Sequence, residues 1–152
     1  DYAMSLTSAE YSGGSRSLRI ANIGACDGIT CPANGDISGN KLQRQPAFQA
    51  SVGAALQGEW SGDWQWYLRG DVAHQSKQYV DELNLATISE RTLVNTRFEL
   101  TRGQWTAALW AQNLFDERYV ANAFFLANAN GTSYVPIFGQ QRTFGLTVSF
   151  AL

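Results

Sequence analysis

Apolar and polar residues alternate with a period of two over several stretches of the chain, most clearly in residues 143–152. The apolar positions of that stretch are Phe144, Leu146, Val148, Phe150 and Leu152, and the positions between them are small or polar. Such alternation predicts a β-strand with one apolar and one polar face. The same pattern predicts six strands, at 1–11, 47–58, 64–75, 92–101, 105–113 and 143–152. It requires no helix.

The connections between the predicted strands alternate in length. Those at 59–63 and 102–104 are short, whereas those at 12–46, 76–91 and 114–139 are long, and the first of the long ones is rich in Gly, Asn and Ser. An up-and-down meander places all the short turns at one end, as in outer-membrane barrels. We therefore predict an all-β fold, an antiparallel up-and-down meander of about six strands that forms part of a transmembrane β-barrel.

The polar faces of two neighbouring predicted strands carry four charges, Arg69, Asp71, Arg97 and Glu99. In a closed soluble core each charge costs several kcal/mol unless it is paired, whereas a water-filled lumen tolerates it. We therefore predict that these four residues face a lumen, and that they pair across the strands. The apolar faces have no second layer to cover them, and lipid is the simplest cover.

Two other hypotheses fit parts of the pattern. One is a soluble β-barrel or sandwich that acts as a ligand-binding module, and it requires an apolar interior that the charged face opposes. The other is a small outer-membrane barrel formed when copies of the sheet associate through their exposed edge strands.

Composition narrows the class of protein further. Charged residues make up 16% of the chain, against roughly 25% in soluble domains, aromatic residues make up 12%, and the net charge is -2. This balance excludes a disordered chain, and the absence of a basic run gives no indication of a nucleic-acid partner. Four of the five tryptophans lie at or beside the short turns, as an interfacial belt requires. They are Trp60, Trp64, Trp66 and Trp105.

Candidate chemistry is sparse. Cys26 and Cys31 have the spacing of a small local disulfide, which stabilises by about 2 kcal/mol on a chain-entropy estimate; free thiols or two metal ligands are the alternatives. His74 is the single histidine. No phosphate-binding loop, nucleophile elbow or metal motif is present, so we predict neither an enzyme nor a cofactor.

The stretch from 122 to 131 mixes apolar and amide side chains, as ligand-binding loops do. Its candidate ligand contacts are Asn122, Phe124, Phe125 and Asn128. The alternative is that the apolar residues of this stretch, Leu126 among them, fold back onto the rim of the barrel. No substrate can be identified from it.

Two segments near the C-terminus resemble the end of TonB-dependent outer-membrane receptors. The residues that carry the resemblance are Asn113, Leu114, Phe115, Asp116 and Tyr119, then Gly139, Arg142, Thr143, Phe144 and Gly145. The family has an NLFD-x-x-Y stretch on its penultimate strand and G-x-x-R-T-aromatic-G at the start of its last strand. Residues 39–46 are similar to the G-x-x-L-x-x-x-P that precedes an earlier strand. The three segments occur in the family's order, and the resemblance covers essentially the whole chain.

The resemblance implies a 22-stranded barrel filled by a plug domain, of which residues 1–152 form the C-terminal strands as a single unit without the plug. The implied function is active uptake of a large nutrient such as an iron–siderophore, in the outer membrane of a Gram-negative cell. The implied partners are outer-membrane lipid, the remaining barrel and plug, and a TonB-type energy-coupling complex that acts through the missing N-terminal part. The chain ends Phe-Ala-Leu where the family usually ends in an aromatic residue, so we expect a weakened assembly signal.

Overall fold

The computed structural model describes residues 1–17, 35–128 and 131–151, and for 125, 127, 128, 131 and 132 it describes the backbone alone. Cys26 and Cys31 lie outside the described residues, so their predicted disulfide stays a prediction. The described ranges contain ten strands. They are β1 (Tyr2–Leu6), β2 (Phe48–Trp60), β3 (Trp64–Gln75), β4 (Gln78–Tyr79), β5 (Thr87–Ile88), β6 (Arg91–Arg102), β7 (Trp105–Gln112), β8 (Val120–Asn128), β9 (Gly131–Phe138) and β10 (Thr143–Phe150).

Six strands form one antiparallel sheet in the order β1-β2-β3-β6-β7-β10. These are the six strands that the alternation predicts, and the up-and-down meander is confirmed. The largest difference in bounds is at the N-terminus, where the strand predicted over 1–11 is limited to Tyr2–Leu6. The short turns use backbone conformations with positive φ, at Gly62 (73°), Asp63 (62°) and Gly103 (55°). Tight hairpin turns need such residues because they match the twist of the strands.

The strand register brings the apolar positions together on one face. Its central row runs across five strands through Leu56, Leu68, Phe98, Leu109 and Leu146. Leu56, Leu109 and Leu146 are 63%, 59% and 64% exposed. Burial of a leucine side chain stabilises by roughly 1.5 to 3 kcal/mol, and none of the described residues covers this face. The sheet therefore exposes an apolar surface that requires a cover from outside the described chain.

Two further hairpins lie in connections that the alternation predicts as loops. β4 pairs with β5 inside 76–91, and β8 pairs with β9 inside 114–139. The first has strands of two residues, too short to show a period. The second has a register shift between Val120 and Asn122, and its consecutive apolar residues obscure the alternation. The prediction of plain loops in these two connections was wrong.

The buried residues lie mostly outside the large sheet. Among the described residues they are Ser17, Gly35, Ile37, Pro46, Val80, Asp81, Leu83, Ile88, Ala108, Asn113 and Ala123. Of these, Ala108 alone belongs to a strand of the six-stranded sheet. The chain thus combines a sheet without a core and an ordered layer at the long-connection end. No helix in the described ranges is long and apolar enough to cross a membrane.

Candidate functional site

The four predicted lumen-facing charges share the polar face of the sheet, but they pair along their strands. Arg69 Nη2 lies 2.6 Å from Asp71 Oδ1, and Arg69 Nε lies 2.9 Å from Asp71 Oδ2, so the guanidinium binds the carboxylate with two bonds. A third bond of 3.1 Å joins Arg69 to Asp1. Arg97 pairs with Glu99 on its own strand, and Arg69 lies directly opposite Arg97. The predicted cross-strand pairing was therefore wrong, because the register places like charges side by side.

A glycine makes room for the first of these ion pairs. Gly53 on β2 lies opposite Asp71. A Cβ at this position would lie 2.2 Å from Asp1 Oδ1, 2.6 Å from Asp71 Oδ1 and 2.8 Å from Arg69 Nη2. The guanidinium and both carboxylates thus occupy the space above the backbone of the neighbouring strand, and a larger residue at 53 would displace them.

The resemblance implied that the sequence motif that begins at Asn113 lies on the penultimate strand. In the structure this motif instead forms a turn directly after β7. Asn113 is 5% exposed and has a φ of 50°. Its Nδ2 donates to the carbonyls of Glu117 (2.9 Å) and Gln140 (3.0 Å), and its Oδ1 accepts from the Glu117 N–H at 2.9 Å. One side chain therefore closes the turn and ties it to the segment before the last strand.

The remaining motif residues extend this connection. The Leu114 N–H donates to the Val94 carbonyl at 2.8 Å, which fixes the turn to β6. Asp116 Oδ1 accepts from the Arg142 N–H at 2.9 Å, so the two motifs meet in space although they lie far apart in sequence. Phe115 is 75% exposed. The polar members of the motif thus stabilise the connection of the last two sheet strands.

Aromatic rings of the motif region lie over glycines. A Cβ on Gly139 would lie 2.0 Å from the Tyr119 ring, and one on Gly145 would lie 2.5 Å from the Trp110 indole. The Arg91 guanidinium lies over the Tyr119 ring, with its Cζ 5.0 Å from the ring centroid. Thr143 begins β10, as the resemblance implied. Glycine at 139 and 145 is required because these rings lie against the backbone.

The two outer hairpins pack against each other and form a layer, called here the outer layer. Val80 and Ile88 of the first hairpin contact Ala123 of the second, with Ala86, Val120 and Tyr134 around them. The Tyr134 hydroxyl donates to Asp81 Oδ2 at 2.9 Å, and the Leu83 N–H donates to Asp81 Oδ1 at 2.8 Å. Asp81 is 2% exposed. These hydrogen bonds compensate part of the cost of burying its carboxylate.

Loss of the Tyr134 hydroxyl is expected to loosen the outer layer. Burial and the hydrogen bond to Asp81 raise the pKa of Tyr134 above its ordinary value of 10.0. Folding therefore favours the neutral phenol, and this stabilisation is complete below pH 10 and lost as the pH rises through the raised pKa. Titration followed by absorbance at 295 nm should show one tyrosine that ionises at higher pH than an exposed tyrosine. The Tyr134→Phe variant should lack this high-pH transition. At neutral pH the variant should exchange its β8 and β9 amide hydrogens faster; unchanged exchange would contradict the role of this contact.

The candidate ligand-contact residues lie on β8. Asn122 Oδ1 accepts from the N–H of Ala123 at 2.9 Å, so the amide is partly used within the hairpin. Phe124 is 43% exposed, and the Arg44 Cζ lies 5.7 Å from its ring centroid. Of Phe125 and Asn128 the structure describes the backbone alone. Phe124 shares an exposed face with Val135, while Ala123 lies on the packed face. Ligand contact at these four positions stays a prediction.

Aromatic residues form a row at the short-turn end. The register aligns Trp60, Trp64, Arg102, Trp105 and Phe150 across five strands. The Arg102 Cζ lies 5.5 Å from the Trp64 ring centroid, and the centroids of Trp105 and Phe150 are 4.8 Å apart. Tryptophan and arginine beside an exposed apolar surface are typical of a membrane interface.

His74 lies at the opposite end of the apolar face. Its ring centroid is 5.7 Å from that of Phe48, and its Nδ1 is 2.8 Å from Thr92 Oγ1. Within the described part of the chain, no group of three or more His, Cys, Asp and Glu residues could hold a metal ion. The histidine is thus a residue of the sheet face with local partners.

The fold is similar to that of two solved receptors. One is the ferric yersiniabactin uptake receptor FyuA from Yersinia pestis, with a TM-score of 0.67 and 18% identity over 78% of this chain. The other is BauA, the ferric preacinetobactin receptor from Acinetobacter baumannii, with a TM-score of 0.58 and 22% identity over 75% of this chain. The matches cover 18% and 16% of those two chains.

No protein-family model and no curated protein sequence matches the chain. The likeness is therefore one of fold. The chain has the fold of a segment of the receptor β-barrel, in agreement with the resemblance to TonB-dependent outer-membrane receptors that its sequence motifs carry.

Proposed function

We propose that residues 1–152 form, as a single unit without the plug, the C-terminal part of the barrel of a TonB-dependent outer-membrane receptor. The observation that carries the proposal is the difference between the two faces of the sheet. One face is apolar and uncovered, while the other carries ion pairs such as Arg69–Asp71. A sheet between lipid and a water-filled lumen requires this arrangement. The fold likeness to two uptake receptors supports it.

The whole receptor would serve active uptake of a large nutrient such as an iron–siderophore, in the outer membrane of a Gram-negative cell. This chain contributes lipid contacts through its apolar face and lumen contacts through Arg69, Asp71, Arg97 and Glu99. The outer layer contributes ligand contacts from β8. The plug and a TonB-type complex supply the gate and the energy coupling. The two similar structures are receptors, and we propose no enzymatic role.

Fractionation of cells that produce the native protein tests the proposal. An antibody against residues 120–138 is expected to detect an outer-membrane band several-fold larger than 16.7 kDa whose mobility changes on heating. Heat-modifiable mobility is the result expected for a barrel that resists detergent until it is boiled. A receptor-deleted strain should regain uptake of a ferric chelate from the complete gene and not from residues 1–152.

Three outcomes would contradict the proposal. A 16.7 kDa band in the soluble fraction would favour the soluble binding module instead. Uptake restored by residues 1–152 without plug or coupling segment would show that the chain is a transporter by itself. Crosslinking of a 16.7 kDa membrane species to a defined oligomer would favour the self-associating barrel.

A further inference from the structure

A groove of about 760 Å³ lies at the long-connection end of the sheet. One side is formed by the connection after β1, with Thr7, Ser8 and Lys41. The other is formed by the residues around the β4–β5 hairpin, including Lys77, Ser89 and Glu90. Its volume is within the range of about 300 to 1,000 Å³ that is usual for small-molecule sites. The groove is separate from the candidate ligand contacts on β8.

Hydrogen bonds hold the two sides of the groove in place. The Arg44 N–H donates to the Tyr79 carbonyl at 2.8 Å. The Lys41 N–H donates to Asn84 Oδ1 at 2.7 Å, and Asn84 Nδ2 donates back to the Lys41 carbonyl at 2.9 Å. The side chain of Asn84 thus pairs with the backbone of Lys41 in both directions. Because the sides are joined before any ligand arrives, binding here requires little ordering of the chain.

The groove continues the polar face of the sheet. Ser5 and Gln49 are register partners on that face, and the next pair outward on it is Thr7 and Ala47. The Thr7 N–H donates to the Ala47 carbonyl at 2.9 Å, so the pairing extends beyond β1. Both residues line the groove. A ligand in the groove would therefore lie on the same side of the sheet as the Arg69 ion pairs.

The charges of the groove define the ligand that fits it. Lys41 Nζ is bonded to Glu10 at 2.5 Å. Lys77 is exposed and makes no ion pair with any residue that the structure describes. Glu90 adds a negative charge to the lining, which disfavours a multiply charged anion and favours hydroxyl donors. Thr7, Ser8 and Ser89 supply hydroxyls that both donate and accept.

We propose that this groove binds a sugar acid, a ligand with one carboxylate and several hydroxyls. The Lys77 ammonium receives the carboxylate, the Glu90 carboxylate accepts a ligand hydroxyl, and the lining hydroxyls of Thr7 and Ser8 bond the others. The proposal concerns binding alone and goes beyond the proposed uptake function, because the groove belongs to this chain whether or not a plug is present.

Titration calorimetry of the full chain in detergent tests the proposal, with glucuronate as the probe and glucose as its neutral counterpart. Glucuronate is expected to bind with saturation and more tightly than glucose. Lys77→Gln should weaken glucuronate binding about tenfold, the loss of one charge-assisted hydrogen bond, and leave glucose binding unchanged. Arg118→Gln removes an exposed charge of the same sign outside the groove and should leave both affinities unchanged.

Several results would overturn the proposal. Equal affinities for glucuronate and glucose would exclude the carboxylate contact at Lys77. Equal losses in Lys77→Gln and Arg118→Gln would show a general attraction of anions to the surface. If the chain shows the circular dichroism spectrum of an intact β-sheet but does not bind glucuronate with saturation, the site is excluded altogether. None of these results bears on cell fractionation, so the two proposals fail independently.

Discussion

Val52→Arg is expected to destabilise the lipid-bound chain by up to about 2 to 4 kcal/mol, the cost of arginine on the lipid face of a barrel, which is largest at the bilayer midplane and falls toward the interfaces. Val52 lies on the apolar face, is 56% exposed and has Tyr2 and Val72 as its cross-strand neighbours. An arginine there places a guanidinium among hydrocarbon chains. Urea unfolding of the chain in phospholipid vesicles, followed by tryptophan fluorescence, measures the change.

Ser51→Arg is the matched control, because Ser51 is the preceding residue of the same strand and points to the polar face. It is exposed and lies opposite Ala3 and Ala73. We expect its free energy of unfolding to change by no more than about 0.5 kcal/mol, as at an ordinary water-facing site. Equal effects of the two substitutions would mean that lipid does not cover the apolar face. A chain that stays dissolved and folded without detergent would support the soluble alternative.

Asn113→Gly is expected to lower the free energy of unfolding by about 3 kcal/mol, since three side-chain hydrogen bonds of about 1 kcal/mol each are lost in a buried turn. Asn113→Ala should cost roughly 1 kcal/mol more, because alanine tolerates a positive φ less well than glycine. The observed φ is 50°. Urea unfolding in detergent, followed by the fluorescence of the tryptophans, distinguishes the two variants.

Phe115→Ala provides the comparison within the same motif. Phe115 is 75% exposed, so its truncation should change the unfolding free energy by no more than about 0.5 kcal/mol. A large effect of Phe115→Ala with a small effect of Asn113→Gly would mean that the motif stabilises the chain through its aromatic ring. Equal effects of the glycine and alanine variants would mean that the backbone conformation at 113 is unstrained.

The strands of the sheet could be predicted from the sequence because each needs only its own alternation. Apolar residues stand at every second position of these strands. Val52, Leu68 and Leu146 each belong to such a series, and the structure places all three on one face. The short turns could also be predicted from the sequence, because each contains a glycine. In the structure, Gly62 and Gly103 have the positive φ that tight turns need. These features depend on neighbours within a few residues.

The ion pairs and the outer layer could not be predicted in this way. Arg69 and Arg97 belong to strands joined by a long connection, so the alternation does not reveal that they lie opposite each other. The β4–β5 hairpin is ordered by contacts of Val80 and Ile88 with Ala123, which lies in a different connection. No periodic signal within 76–91 marks those contacts. The motif turn similarly needs Gln140, whose carbonyl meets Asn113 only in the folded chain.

The sequence by itself determined that this protein is an antiparallel meander with one apolar and one polar face and with its long connections at one end. Side-chain direction alternates residue by residue along a strand, so the faces are a local property. The tertiary structure decided the register, the pairing of Arg69 with Asp71, the packed outer layer and the groove beside Lys77. Each of these depends on which distant segments come together, and that follows from the sum of long-range contacts.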